Sequence, residues 1–191
     1  MAYDNIEIEI KHPLQNPDEI IIFLNNNAEL VKSNVFQKDT YYTLWQRDFL
    51  KKEYPYEWLR LRESNKWSSI NYKHFYPENE KISDYCEEFE TAIENAENIK
   101  KIFANIDIQE AVIVEKNRTI WIFENVEISL DEVTWLWTYI ELETTTGFES
   151  PQKGKEYLYT IAEKINAQLW EVDNRGYPYR ILENKWYKFW E

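Results

Sequence analysis

The 191-residue sequence holds one cysteine, two histidines and three glycines, and each scarcity removes a class of chemistry. Cys86 has no partner for an internal disulfide and cannot by itself build a cysteine-based zinc site. His12 and His74 are too few for a histidine-rich metal centre and give poor support to a Ser-His-Asp triad. With so little glycine there is neither a P-loop nor a kinase-type glycine-rich loop. Any phosphate must therefore be held by side chains. No run of about 18 apolar residues exists to span a bilayer. The opening MAYDNIEIEIK has acids where a secretion signal needs a basic start and an apolar stretch. The chain thus reads as cytoplasmic, folded and without a membrane partner. Basic residues are also in deficit, 22 Lys and Arg against 35 Asp and Glu, for a net charge of -13. A nucleic-acid duplex needs a net basic surface and is disfavoured as a partner. A small phosphorylated ligand held by a few clustered cations is not.

What is plentiful is aromatic and β-branched residues, with Phe, Trp and Tyr at 17%, which favours strands and argues against disorder. The length suits a single domain over 1–191 with a sizeable core. Ile6, Ile8 and Ile10 alternate with Glu7, Glu9 and Lys11, which predicts a strand over 6–11. Pro17, Asp18 and Glu19 open a helix to about residue 30. Further strands are predicted near 34–42, 57–62, 66–76, 87–91, 110–116, 119–131 (with a break) and 135–143, and helices near 93–105 and 155–168. The aromatic tail 172–191 has no clear period. Many strands with few helices make an α+β fold with a mostly antiparallel sheet or barrel.

The informative feature is charge at spacing two. Glu7, Glu9 and Lys11 form one set; Arg60 with Arg62, Glu88 with Glu90, Lys116 with Arg118, and Glu141 with Glu143 form the others. Side chains two apart on a strand share a face. One such pair is ordinarily a solvated face. Sorting by sign is not, because surfaces shaped for solubility mix the signs. Carboxylate oxygens hold hard divalent cations such as Mg²⁺ or Mn²⁺, and Arg forks match phosphate oxygens. Sorted acids and bases on one concave face suit a metal-bound polyphosphate. The inside of an antiparallel barrel supplies that face if the apolar alternates pack outward against helices, the reverse of a small barrel filled by apolar side chains.

Glu7-x-Glu9-x-Lys11 resembles the ExExK signature of the CYTH, or triphosphate tunnel metalloenzyme, superfamily. The resemblance continues in order. Asp39-Thr40-Tyr41-Tyr42 is similar to its D-T-Y-Y strand, Leu59-Arg60-Leu61-Arg62 to L-R-x-R, and Trp67 with Tyr72-Lys73 to W-x-x-x-x-Y-K. Glu88-Phe89-Glu90 matches E-x-E, Lys116-Asn117-Arg118 matches K-x-R, and Leu130-Asp131-Glu132-Val133 with Glu141-Leu142-Glu143 resembles the closing strands. Residues 177–182 are similar to the tyrosine-containing end of bacterial members, so the likeness spans about 6–183. Two departures stand out: Cys86 where many cyclase-like members have Arg, and Trp137 after Leu136 where Gly is frequent.

The resemblance implies an eight-stranded antiparallel tunnel with a polar interior and flanking helices. It also implies a small triphosphorylated substrate, two Mg²⁺ or Mn²⁺ ions, and a homodimer. Metal would fall to Glu7, Glu9, Glu141 and Glu143, with Asp131 and Glu88 or Glu90 completing the set. Lys11, Arg60, Arg62, Lys73, Lys116 and Arg118 would line the triphosphate path, and Lys11 with Tyr41 would act in proton transfer. The implied activity is hydrolysis of tripolyphosphate, thiamine triphosphate or a nucleoside triphosphate. An adenylyl cyclase is the alternative, and a non-catalytic polyphosphate-binding module a reading of another class. Elsewhere, Trp121 and Trp135 read as packing, and Trp45, Trp58, Trp186 and Trp190 as bordering a tunnel mouth or a dimer contact. His12 and His74 read as outward-facing, and Cys86 as a small buried residue.

Overall fold

A computed structural model describes residues 6–145, 147–171 and 176–188. Its strands are β1 (Ile6–Glu7), β2 (Glu9–Pro13), β3 (Glu29–Leu44), β4 (Glu57–Ser64), β5 (Ser68–Tyr76), β6 (Tyr85–Ile93), β7 (Ile108–Phe123), β8 (Val126–Val133) and β9 (Thr138–Thr144). The helices are α1 (Pro17–Asn27), α2 (Ala96–Asn105), α3 (Pro151–Lys164) and α4 (Gly176–Lys188).

All pairings are antiparallel, in the order β1-β6-β5-β4-β3-β7-β8-β9-β2. The two ends of that order are neighbours in sequence, with only Ile8 between them. Ile6 and Glu7 pair with Glu87 and Cys86, while Glu9–Pro13 lies on β9. One interrupted strand therefore touches both edges of the sheet, which a flat sheet cannot allow. The sheet curls into a tunnel, and β1 and β2 taken as one strand make the expected eight. The ring is not sealed, because β6 beyond Glu87 has no outer neighbour among the described residues.

Period-two alternation sorts the faces. Ile8, Ile10, Ile128, Leu130, Ile140 and Leu142 point outward and pack with Ile20 and Leu24 of α1 and Leu158 and Ile161 of α3. Each such side chain, fully buried, contributes about 1.5–3 kcal/mol. On another flank, α2 sets Phe103 against Tyr42 and Leu61. The charged alternates are left facing inward. At one end of the lumen Tyr41, Trp58, Val112, Val114, Val133 and Tyr139 gather, and Tyr177 and Ile181 of α4 pack into them. That helix lies across this end of the tunnel, in the tail whose period was unreadable.

The expected break between residues 116 and 119 is absent. β7 runs on unbroken to Phe123, and the break expected within 119–131 falls at Glu124 and Asn125, with φ of 48° and 60°. Two left-handed residues are what a tight two-residue hairpin turn requires, here without glycine. Lys116 and Arg118 share one face of this continuous strand and line the tunnel. The expectation for Trp135 also fails: it is 79% exposed on the β8–β9 turn, whereas Trp121 is buried. Among the described residues no helix is long and apolar enough to cross a membrane.

Candidate active site

The strand order segregates the charges. β6, β1, β2 and β9 are successive around the ring, and they carry Glu88, Glu90, Glu7, Glu9, Glu141 and Glu143. β4 and β7 flank β3 on the other side and carry Arg60, Arg62, Lys116 and Arg118. Acids form one wall and cations face them, around a cavity of about 640 Å³. Every site residue expected from the sequence lines this cavity except Asp131.

Two lysines reach into the acidic wall. The Lys73 ammonium lies 2.5 Å from Glu7, 3.4 Å from Glu9 and 3.2 Å from Glu88. Lys11 lies 3.1 Å from Glu9 and 2.7 Å from Glu141. Burial raises the Glu7 pKa, the Lys73 charge opposing and the Glu9 charge adding to it. Against its own burial, Glu88 is held at about 2 by the Glu7 carboxyl and by Lys73 and Arg60. Glu143 differs: it has no hydrogen-bond or ion-pair partner among the described residues, and burial with the Glu141 and Glu9 charges pushes it up to about 7.

In the basic wall the cations are pre-aimed by two aspartates. Arg62 donates to both Asp39 oxygens, at 2.7 and 2.6 Å. Arg118 grips Asp131 with two bonds of 2.6 Å and Glu141 with bonds of 3.2 and 3.0 Å. Lys116 donates to Asp131 at 2.7 Å, and the Tyr177 hydroxyl donates to the same carboxylate at 2.9 Å. Asp131 is wholly buried behind the wall with its oxygens so engaged. Burial and the adjacent Arg118 charge lower the Lys116 pKa to about 7, opposed by its ion pair with Asp131. Arg60 is the loosest of the four, 3.8 Å from Asp39 and 4.0 Å from Glu88, and its Nε makes no hydrogen bond. Tyr41 stands opposite Arg60 in the register, edge-on to Trp58, and burial raises its pKa, so it is a phenol at neutral pH. Lys11 lies 5.4 Å from the centre of the Tyr177 ring, in the surroundings where Tyr41 was expected to meet it.

Sequence reasoning passed over Asp39, Gln37, Ser69, Asn71 and Tyr177. A signal existed, since Gln37-x-Asp39-x-Tyr41 and Ser69-x-Asn71-x-Lys73 have the same spacing of two. Mixed residue types hid it. Ser69 donates to Glu90 at 2.6 Å, and Asn71 donates to Glu88. Cys86 is buried as expected, its thiol 3.3 Å from Glu7, and burial raises its pKa. Trp137 is exposed and meets Trp170 edge-on. Trp58 borders the α4 end, and Trp45 is exposed. The Trp186 side chain and Trp190 lie outside the described residues.

The acidic wall offers only carboxylate oxygen, the donor that Mg²⁺ and Mn²⁺ prefer. As they stand, no three described carboxylates cage an ion, and the Lys11 and Lys73 ammoniums lie between them. Donor chemistry favours divalent cations nonetheless. Unpartnered Glu143 lines the cavity, and a cation stabilises a buried acid in its charged form. In donor type the residues fit the metal.

The fold and the site together define an antiparallel tunnel with facing acidic and basic walls. The chain belongs to the CYTH domain family, whose model matches residues 5–177. A Methanocaldococcus jannaschii protein provisionally named as an adenylate cyclase is 28% identical over 90% of this chain and 96% of its own length. A Pyrococcus horikoshii OT3 protein superposes with a TM-score of 0.76 at 27% identity, over 94% of this chain and 99% of that one. A Hippeastrum protein, described as a provisional adenylyl cyclase with a dominant triphosphatase activity, has a TM-score of 0.58 at 18% identity. It covers 87% of this chain and 91% of its own, and shows the fold.

Proposed function

We propose that this chain is a divalent-metal-dependent triphosphatase acting on a triphosphate-containing substrate within the tunnel. The observation that carries the reading is the opposition of Arg60, Arg62, Lys116 and Arg118 to Glu7, Glu9, Glu141 and Glu143 across one cavity. Glu7, Glu9, Glu88, Glu90, Glu141 and Glu143 would hold Mg²⁺ or Mn²⁺. When bound, such ions supply charge neutralisation at phosphate oxygens and activation of water.

The remaining work is positioning and electrostatics, as phosphoryl transfer demands. Arg60, with no close partner, takes phosphate oxygens directly. Asp39 and Asp131 fix Arg62, Lys116 and Arg118, so the wall meets charge moving onto the leaving diphosphate without reorganising. With the glutamates committed to a metal, Lys73 and Lys11 would be free to turn from carboxylate to phosphate oxygens. Lys11 and Tyr41 are the catalytic pair. Lys11 is kept charged by Glu141 and Glu9 against its burial, and Tyr41 is kept protonated by burial, so both act as donors toward the leaving group.

The relative from M. jannaschii favours a second reading, an adenylyl cyclase, because its name is of that kind. Both reactions need the same phosphate and metal groups and differ in the nucleophile. Phosphate release from tripolyphosphate, thiamine triphosphate and ATP, with Mg²⁺ or Mn²⁺ and with cyclic AMP measured in parallel, separates them. The expected result is metal-dependent phosphate release without cyclic AMP. Cyclic AMP in place of phosphate moves the assignment to the second reading. Binding without turnover makes the chain a polyphosphate-binding module, and absence of both refutes the triphosphate site.

A further inference from the structure

The end of the tunnel away from α4 carries groups that a bare triphosphate leaves unused. Gln37 on β3 is 4% exposed and lines the cavity, yet its side-chain carbonyl has no hydrogen-bond partner. Its amide nitrogen bonds to no other described residue. Gln37 stands opposite Lys116 on β7 and Ser64 on β4. Ser64 opens the β4–β5 turn, its backbone N–H donating to the Trp67 carbonyl at 3.0 Å, so Trp67 lies at the same end. Trp67 is 37% exposed and lines the cavity, with the Lys32 ammonium 6.0 Å from its ring centre. Ile120, opposite Lys32, adds an apolar lining. At about 3.4 Å per residue, Gln37 stands only about 7 Å along β3 from Asp39, which holds Arg62.

These groups suit the organic part of a substrate. An ionised polyphosphate accepts hydrogen bonds and donates none, so it cannot satisfy a buried carbonyl, and it has no use for an indole face. A glutamine amide presents donor and acceptor side by side in one plane, as when it reads an adenine edge through an amino group and a ring nitrogen. An indole gives a heteroaromatic ring a surface to stack on. α4 packs into the other end of the lumen, whereas Gln37 and Trp67 line the cavity at this one.

We propose that Gln37 and Trp67 form a specificity subsite that reads a planar heterocycle bearing an amino group beside a ring nitrogen, so that the preferred substrate is an organic triphosphate rather than inorganic tripolyphosphate. The inference rests on the triphosphate reading and adds the identity of the group attached. Adenine and the aminopyrimidine of thiamine share the required edge, and the experiment tells them apart.

The test is calorimetric titration of the full chain with tripolyphosphate, ATP, thiamine triphosphate and purine riboside triphosphate, each with Mg²⁺, in wild type, Gln37→Leu and Trp67→Ala. A bidentate reader implies that wild type prefers ATP or thiamine triphosphate over tripolyphosphate by about tenfold or more. Whichever of the two binds tighter names the ring. Each substitution should remove most of that preference and leave tripolyphosphate binding within about twofold, as a subsite outside the phosphate path requires. In wild type, purine riboside triphosphate, which lacks the amino group, should bind as weakly as ATP binds Gln37→Leu. Equal binding of tripolyphosphate and the organic ligands by wild type overturns the subsite while the triphosphate reading stands. So does a uniform loss across all ligands in Gln37→Leu with Trp67→Ala unchanged. If wild type binds none of the four, the triphosphate reading itself falls.

Discussion

Asp39→Asn tests whether the basic wall is held in place by buried acids. The aspartate is wholly buried, Arg62 grips both its oxygens, and Arg60 stands 3.8 Å away. Asparagine keeps the shape and removes the charge, leaving Arg62 in the wall beside a neutral group. Breaking one side of a buried pair costs about 3–5 kcal/mol, and a pair whose arginine lines the cavity belongs at the lower end. For a chain of this size each kcal/mol moves Tm by about 2–4 °C, so the melt should fall by about 6–12 °C. The pH dependence has a definite sign. The Arg62 and Arg60 charges outweigh burial and hold the Asp39 carboxyl below its ordinary 3.8. The unfolded chain therefore takes up the proton first, and the stability Asp39 supplies is complete above the ordinary carboxylate range and drains away as pH falls below it. Urea and thermal unfolding of wild type and variant at neutral pH, and at about pH 5 and 3, measure this. A shift under about 1 °C at neutral pH, or a gap that widens towards acid, would refute the reasoning.

Three further outcomes follow from single residues. Arg60→Ala should weaken tripolyphosphate binding by about 2–3 kcal/mol in calorimetry with Mg²⁺, because a charged hydrogen bond is lost; unchanged affinity removes Arg60 from the phosphate path. Glu9→Gln should cut metal-dependent turnover at least about tenfold and shift the Mg²⁺ and Mn²⁺ titrations, since a ligand charge disappears; superimposable titrations dismiss it as a ligand. His12 donates from Nδ1 to the Trp170 carbonyl and accepts at Nε2 from Tyr159, and burial lowers its pKa from 6.5. The unfolded chain again protonates first as pH falls, so wild-type stability should decline through that value and His12→Gln should flatten the decline; identical urea-midpoint slopes count against it.

The tunnel was legible because period two does two jobs at once. Ile6, Ile8 and Ile10 against Glu7, Glu9 and Lys11 mark a strand and also assign its faces, and Arg60-Leu61-Arg62 repeats the lesson. Less visible was what depends on partners remote in sequence. Asp131 and Glu141 both face inward, yet Lys116, Arg118 and Tyr177 draw Asp131 behind the wall while Glu141 lines the cavity. No spacing rule separates them. Asp39 has only uncharged Gln37 and Tyr41 two residues away, and Gln37 is neutral, so neither joined a sign-sorted pair. The α4 segment shows no clean stripe, because Tyr177 inserts among tunnel residues while Arg180 lines the cavity beside it. The break expected within 119–131 is the turn at Glu124 and Asn125, whose left-handed residues carry no glycine to mark the exact place.

The first strand also dictates an order of assembly. Glu9 must find Glu143, and Ile6 must find Glu87, before the ring can form. At about 5–20 residues per second of synthesis, the earliest strand emerges many seconds before its later neighbour exists. The stave laid down first is the last to be fitted, and such distant pairing is slow. During that wait it is a loose β-strand, the kind of segment that adds itself to a neighbouring chain's sheet. Charged side chains on the face destined for the interior discourage that trespass. Glu7 and Glu9 thus guard the nascent chain before there is any tunnel for them to line.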